Sequence, residues 1–441
     1  MKKVLLTTLG CKVNQYESAA FRTGFEDAGF SVVTRGGNAD VVVINTCAVT
    51  GSAGAQSRQA LRRALRKNPR ARIIITGCYA EIAAGELAEE KELQGRDYSL
   101  IGNSRKDRLV EQALKDTATQ DEDLLGTIST AKEICRLPVR RFGDRSRAYL
   151  RIQDGCESFC TYCIVPFTRG PSRSLPPGEV IDQAKIYAEE GYKEIILTGI
   201  HLGNYGKDLD DKPTLIALLD RLSLATPQVA YRISSLEPLE IDETLLTLMQ
   251  ERKNIQPHLH IPLQSGHDDI LAKMNRRYTT AQFRRIIKLC RQRLPDAAIG
   301  IDILAGFPGE TEEHFAGSLA FLQSLDFTYL HVFPYSMRPG TVAAGFKDQV
   351  GQKIKDDRVT KLRRLSEEKR NIFYNSQLGR SWPVIVEGRR DDGGMLQGFT
   401  ANYVAVRFEG PDSLMHDVAT VRLVSLNETF ILARREESHE S

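Results

Sequence analysis

Cys156, Cys160 and Cys163 stand in one short run, Cys156-Glu157-Ser158-Phe159-Cys160-Thr161-Tyr162-Cys163. Thiolates at this C-x3-C-x2-C spacing can hold three irons of a cubane [4Fe-4S] cluster and leave the fourth iron without a protein ligand. A fully ligated cluster only passes electrons. An open iron can also chelate the amino and carboxylate groups of S-adenosylmethionine (SAM), so that one electron cleaves the sulfonium and releases a 5′-deoxyadenosyl radical. A structural zinc ion would want four ligands, and no His or Cys nearby in sequence supplies an obvious fourth.

Cys11, Cys47 and Cys78 are scattered, yet each follows a short β-rich run. Lys3 to Leu9 precedes Gly10-Cys11, Val41 to Thr46 precedes Cys47, and Ile73 to Thr76 precedes Gly77-Cys78. Open α/β sheets place their ligands at the carboxyl ends of their strands, so three such thiols converge on one edge. The bland alternative is three small buried hydrophobes. A second three-thiolate cluster would also keep an open iron, able to hold the sulfide that a sulfur-inserting enzyme needs. Cys135 and Cys290 share no strand end with other thiols and are read as inert.

The elements that must position these loops follow from periodicity. Residues 1–120 alternate β-rich runs with helical stretches, the pattern of a Rossmann-like parallel α/β domain. Residues 115–150 lack clear periodicity and pass from acidic (Asp121, Glu122, Asp123) to strongly basic (Arg136, Arg140, Arg141, Arg145, Arg147, Arg151), which reads as an interdomain linker over 121–144. Residues 145–375 hold six strand candidates, at Tyr149–Gln153, Glu194–Ile200, Tyr231–Leu236, His258–Leu263, Ala298–Ala305 and Tyr329–Phe333. Alternating with helices, they predict a partial (βα)6 barrel with its chemistry at the strand carboxyl ends. A charged helix over Gln352–Tyr374 follows. Residues 376–435 turn short, β-branched and Gly-punctuated, predicting a small antiparallel β-barrel of the oligonucleotide-binding type. The tail from Glu436 to Ser441 reads as disordered.

Of 441 residues, 60 Lys+Arg nearly balance 57 Asp+Glu, so the net charge of +3 does not by itself announce a nucleic-acid partner. Met1-Lys2-Lys3 mimics a signal-peptide start, but the apolar stretch stops at Thr7-Thr8. No segment has the apolar length of a membrane helix. The expectation is a cytoplasmic protein with reduced thiols, free as metal ligands.

The Cys156 loop on a six-unit barrel resembles the radical SAM superfamily over about residues 145–340. That resemblance implies that Tyr162 packs on the SAM adenine, and that Thr198-Gly199, Ser235, Glu237, Gln264-Ser265 and the stretch Asp302 to Glu310 contain further SAM contacts. A loop-capping role is the plain alternative for each of these polar residues. The whole chain, to about residue 434, resembles the methylthiotransferase family, which joins a three-Cys N-terminal domain, a radical SAM barrel and a C-terminal TRAM domain. The resemblance rests on Thr8-Leu9-Gly10-Cys11-Lys12-Val13-Asn14-Gln15-Tyr16-Glu17-Ser18, Asn45-Thr46-Cys47-Ala48-Val49-Thr50 and Thr168-Arg169-Gly170-Pro171-Ser172-Arg173-Ser174. Lys12-Val13-Asn14 and Leu197 to Gly206 are most similar to the branch acting on N6-threonylcarbamoyladenosine in tRNA. Pro262 in Ile261-Pro262-Leu263-Gln264-Ser265 departs from the commoner Ser.

The resemblance implies two [4Fe-4S] clusters on Cys11/Cys47/Cys78 and Cys156/Cys160/Cys163, SAM as cofactor, and the tRNA anticodon loop as partner. It also implies a small reductant protein such as a flavodoxin or ferredoxin, and methylthiolation at C2 of the adenine. Between Gln56 and Arg72 lie Arg58, Arg62, Arg63, Arg66, Lys67, Arg70 and Arg72 with no acid among them, a run suited to phosphates or simply a solvated helix face. Three other readings stay open: methylthiolation of isopentenyladenosine in tRNA, the same chemistry on a ribosomal protein side chain, and a non-enzymatic iron-sulfur regulator that binds RNA.

Overall fold

The structure, a computed structural model, describes residues 1–49, 51–115, 124–143 and 145–436. Thr50, the acidic Asp121-Glu122-Asp123 and the tail after residue 436, all named above, lie outside these residues.

The N-terminal domain is built on a five-stranded parallel sheet. Its strands are β1 (Lys3–Thr8), β2 (Ser31–Val33), β3 (Val41–Thr46), β4 (Arg72–Gly77) and β5 (Tyr98–Ile101), in the order β2-β1-β3-β4-β5. The continuous β-branched runs Val41–Ile44 and Ile73–Ile75 are wholly buried, as strands covered by helices on both faces require. One face is covered by α1 (Lys12–Asp27), which buries Val13, Tyr16, Phe21 and Phe25. The strand order reverses between β1 and β3, and an α/β sheet opens a ligand crevice at such a switch point.

The central domain has two three-stranded parallel ladders. β6 (Arg147–Arg151), β9 (Glu194–Thr198) and β10 (Ala230–Ile233) form one; β11 (His258–Gln264), β12 (Ala298–Ala305) and β13 (Tyr329–Pro334) form the other. Parallel bridges at Ser235–His260 and Tyr231–Ile255 join them into one open six-stranded barrel. Thr214, Asp242, Thr279 and Thr311 cap the helices between strands, each accepting a backbone N–H. A short antiparallel pair, β7 (Gln153–Asp154) and β8 (Arg173–Ser174), flanks the loop that carries Cys156, Cys160 and Cys163.

The segment from Leu124 to Phe142 has little regular structure, yet Ile134, Leu137, Val139 and Phe142 are buried in the core shared by the first two domains. The long helix Gln352–Ser376 then leads to a closed barrel of β14 (Ser381–Arg390), β15 (Leu396–Thr400), β16 (Ala405–Phe408), β17 (Val418–Asn427) and β18 (Phe430–Arg435). It differs from a purely antiparallel barrel in one pairing. β17 and β18 form a hairpin, which leaves β18 running parallel to β16 where the barrel closes.

The terminal barrel docks on the amino end of the central strands. Tyr403 presents its ring 4.4 Å from that of His258 and beneath the Arg232 guanidinium, 4.9 Å from its centroid. Asn402 donates to the Asp296 carbonyl at 2.9 Å, and Arg147 pairs with Glu387. The N-terminal domain covers the opposite, carboxyl end.

Candidate functional site

Gly10 and Gly77 turn the chain at the ends of β1 and β4 with φ of +91° and +96°. A side chain at Gly10 would strike Cys47 at 2.6 Å, and one at Gly77 would strike the Thr46 backbone. Only glycine tolerates both the left-handed backbone and the approach, so these turns bring the following Cys11 and Cys78 in beside Cys47. Asn14, in the first turn of α1, ties the edge by donating to the carbonyls of Leu9 at 2.7 Å and Thr46 at 2.8 Å. Burial pushes the Cys47 thiol up to about 11 and raises Cys11, where Arg169 opposes it.

The second triad occupies the loop after β7. Cys156 donates its N–H to the Gly170 carbonyl at 3.0 Å, and Cys163 to the Cys160 carbonyl at 2.9 Å. Arg276 reaches the Cys160 sulfur at 3.3 Å and pairs with Glu237. His201 Nδ1 lies 3.6 Å from the Cys156 sulfur, and its Nε2 meets Glu240 at 2.5 Å. A histidine therefore does stand beside this triad, which corrects the expectation drawn from local sequence. Burial opposes charge on His201, but Cys156 and Glu240 outweigh it and lift the imidazole to about 10. Burial pushes the Cys163 thiol up to about 12.

Donor spacing separates a cluster from a single ion. Among the described residues, the three sulfurs of neither triad lie within 4.8 Å of one another. Tetrahedral zinc, with bonds of about 2.3 Å, would hold its sulfurs about 3.8 Å apart. Three thiols per site fit a [4Fe-4S] group with one open iron, and Cys11, Cys47 and Cys163, raised by burial, need the positive charge such a group brings. At Cys156 burial is outweighed by hydrogen bonds, that of His201 foremost, which lower the thiol.

The two triads are tied together across the domain boundary by one dipeptide, Arg169-Gly170. Arg169 ends the helix Val165–Arg169. It directs Nε to the Cys78 sulfur at 3.3 Å, one terminal nitrogen to Glu17 at 2.5 Å and Asp154 at 3.2 Å, and the other to Asn14 at 2.6 Å. Glu17 also pairs with Lys106 and with Arg151. These cations outweigh burial and hold its carboxyl well below the usual carboxylate range. Sequence reasoning assigned no role to Arg169, Glu17, Lys106 or Asp154. The signal available was the position of Arg169 and Glu17 within the cysteine-bearing motifs.

The residues named as SAM contacts take different positions. Glu237 lines a cavity of about 210 Å³ with Ser158, Cys160, His201 and Arg276. Thr198 and Gly199 lie at the end of β9 around Gln153, whose side-chain oxygen accepts from the N–H groups of Ile200 and His201 at 2.9 and 2.8 Å. Ser235 bridges to His260. Gln264 ends β11 with φ of +68°, just after a bulge containing Pro262, whose carbonyl accepts from Tyr278. Tyr162 packs beside the cluster loop against Ile270, Met274, Phe307, Tyr335 and Ala343. A cavity of about 680 Å³ lies between residues 104–107 and 126–136 and includes neither triad.

Basic residues also sort by pairing. In α2 (Gly51–Lys67), Arg62 pairs with Glu90 and Glu92, and Arg58 donates to Tyr79; Arg72 is buried. Arg63, Arg66, Lys67 and Arg70 are exposed with no carboxylate within 4.0 Å among the described residues. No helix of the described residues is long and apolar enough to cross a membrane.

A cysteine loop at the carboxyl end of an open six-stranded barrel, with a second three-thiol edge tied to it, defines the class as a radical SAM protein with an added cluster domain. Residues 150–322 match the radical SAM superfamily, and residues 3–95 match the uncharacterized protein family UPF0004. The chain is 38% identical, over 96% of its length and 94% of the relative's, to a threonylcarbamoyladenosine tRNA methylthiotransferase MtaB from Bacillus subtilis. It is 36% identical to the protein of that name from Aquifex aeolicus, with coverage of 92% and 97%. A tRNA-2-methylthio-N(6)-dimethylallyladenosine synthase from a Thermoanaerobacter species is 34% identical, with coverage of 95% and 89%. Among solved structures, a radical SAM methyltransferase, TsrM, from Kitasatospora setae shares the fold at a TM-score of 0.56 and 16% identity, covering 78% of this chain and 77% of its own. The chain belongs to the methylthiotransferase family of radical SAM enzymes.

Proposed function

We propose that this protein methylthiolates C2 of N6-threonylcarbamoyladenosine beside the anticodon of tRNA, in the cytoplasm. The observation that carries the reading is the tie between two three-thiol edges across one domain boundary. A radical generator and a sulfur donor must both reach the same carbon. When bound, the clusters and SAM supply the electron transfer, the hydrogen-abstracting radical and the sulfur.

The chain's own residues hold and aim these groups. In this reading Cys156, Cys160 and Cys163 ligate the cluster that binds SAM, with Tyr162, Thr198, Gly199, Ser235, Glu237 and Gln264 surrounding the cofactor. Cys11, Cys47 and Cys78 ligate the sulfur-bearing cluster. Arg169 fixes one triad relative to the other. The anticodon-loop base must be unstacked to enter, at a cost of about a few kcal/mol. The terminal barrel acts as the TRAM domain, and Arg63, Arg66, Lys67 and Arg70 offer phosphate contacts. The electron comes from a reductant of the flavodoxin or ferredoxin type.

The family match to residues 150–322 and the three-cysteine loop within it support an enzyme over a non-enzymatic RNA regulator. The relatives named for threonylcarbamoyladenosine are the support for that substrate, and a relative named for dimethylallyladenosine keeps a second substrate in view. The test supplies anaerobically reconstituted protein with SAM, a reductant and an anticodon stem-loop bearing threonylcarbamoyladenosine. A methylthio nucleoside should form with deoxyadenosine. Deoxyadenosine without that nucleoside would overturn the substrate, and neither product would overturn the reaction.

A further inference from the structure

The lumen of the central barrel contains a lysine that, among the described residues, has no carboxylate partner. Lys12 follows Cys11 at the start of α1, and its side chain crosses from the N-terminal domain into the barrel, placing Nζ 3.4 Å from Ser234 Oγ. Among the described residues that is its one side-chain hydrogen bond, and no carboxylate oxygen lies within 4.0 Å. Its neighbours are satisfied. Arg232 pairs with Glu194 at 2.7 Å, Arg147 pairs with Glu194 and Glu387, and His260 pairs with Asp302 at 2.7 Å.

The same lumen holds His260, Asp302 and His331, whose ligand atoms lie within 4.8 Å of one another. A metal ion there would share the lumen with Lys12 and Arg232, and His260 is already committed to Asp302. The field favours an anion. A partly buried ammonium without a counter-charge is costly until one arrives, and a charge-assisted hydrogen bond to a carboxylate is the strong kind.

We propose that Lys12 receives the carboxylate of the threonylcarbamoyl substituent and is the residue by which the site selects an anionic N6 group over an apolar one. This rests on the function proposed above and adds its specificity device. C2 and N6 of adenine flank the same base edge, so an anchor at residue 12 and a sulfur-bearing cluster at residue 11 can serve one bound base. A site that pairs with a polar substituent rejects analogues lacking it far more strongly than an apolar pocket rejects an added polar group.

The test crosses two substrates with three proteins. Stem-loops carrying threonylcarbamoyladenosine, or its uncharged carboxamide, are offered to the wild type, Lys12→Gln and Lys12→Arg. Both kcat/KM and stem-loop affinity are read, so a variant with an impaired cluster still reports through binding. The wild type should prefer the carboxylate by about tenfold or more, the worth of one charge-assisted contact, and Lys12→Gln by less than about threefold. Lys12→Arg should keep the preference. Equal preference in wild type and Lys12→Gln would overturn the assignment of Lys12. A wild type that turns over neither stem-loop would overturn the proposed function instead, while the affinity ratio would still decide the role of Lys12.

Discussion

Arg169 Nε lies 3.3 Å from the Cys78 sulfur, while the carbonyl of the next residue, Gly170, accepts the Cys156 N–H at 3.0 Å. One dipeptide therefore touches both thiol triads. Its guanidinium is fully buried, where a planar fork can satisfy Cys78, Asn14, Glu17 and Asp154 at once. Arg169→Lys keeps the charge and loses the fork, so product formation should fall by at least about tenfold, as misplacement near reacting groups does. The reduction potential of the N-terminal cluster should also fall in Arg169→Gln, because N–H donors to sulfur raise it. An unchanged potential would show that Arg169 is a packing residue alone.

Glu17 gives the boundary a pH dependence. Its carboxyl is held below its ordinary value near 4.5 by Arg169, Lys106 and Arg151 against the effect of burial. A depressed carboxylate stabilises the fold above its unfolded pKa, and that stabilisation is lost as pH falls below it. Glu17→Gln leaves these buried cations undercompensated and should cost about 3–5 kcal/mol near neutral pH. Urea midpoints of the two proteins should converge as pH drops below about 4.5; parallel curves would count against the network.

Each triad should be separable. Replacing Cys156, Cys160 and Cys163 by Ala should remove roughly half of the iron and all SAM cleavage. Replacing Cys11, Cys47 and Cys78 should remove the other half and the methylthio product while SAM cleavage persists. Iron analysis and deoxyadenosine assays read both, and product from the second variant would deny that triad its sulfur role.

Legibility followed distance along the chain. Gly10-Cys11 and Gly77-Cys78 were readable because a turn and a thiol sit together at a strand end. The six barrel strands were readable from β-branched runs between helices, and the terminal barrel from its short Gly-punctuated strands. Arg169 and Glu17 were not, since their partners are 152 residues apart in sequence. His201 was missed as a neighbour of Cys156 for the same reason, 45 residues separating them. Ile134, Leu137, Val139 and Phe142 sit at no helical or strand period, so only the packed structure reveals that their segment is core.

Arg422 and Arg434 face each other across β17 and β18 on the exposed side of the terminal barrel. Like charges in direct register repel unless an anion lies between them. Changing both to Gln should weaken tRNA binding and lower the salt slope by about one per lost phosphate contact. Affinity titrations at several salt concentrations measure this, and an identical slope would place the RNA elsewhere.

The central claim is methylthiolation of threonylcarbamoyladenosine in tRNA. Its most direct test is mass spectrometry of tRNA nucleosides from cells that express this protein and lack either the threonylcarbamoyl or the isopentenyl modification. Methylthio product is expected whenever threonylcarbamoyladenosine is present and none when it is absent; product on isopentenyladenosine alone would overturn the substrate assignment.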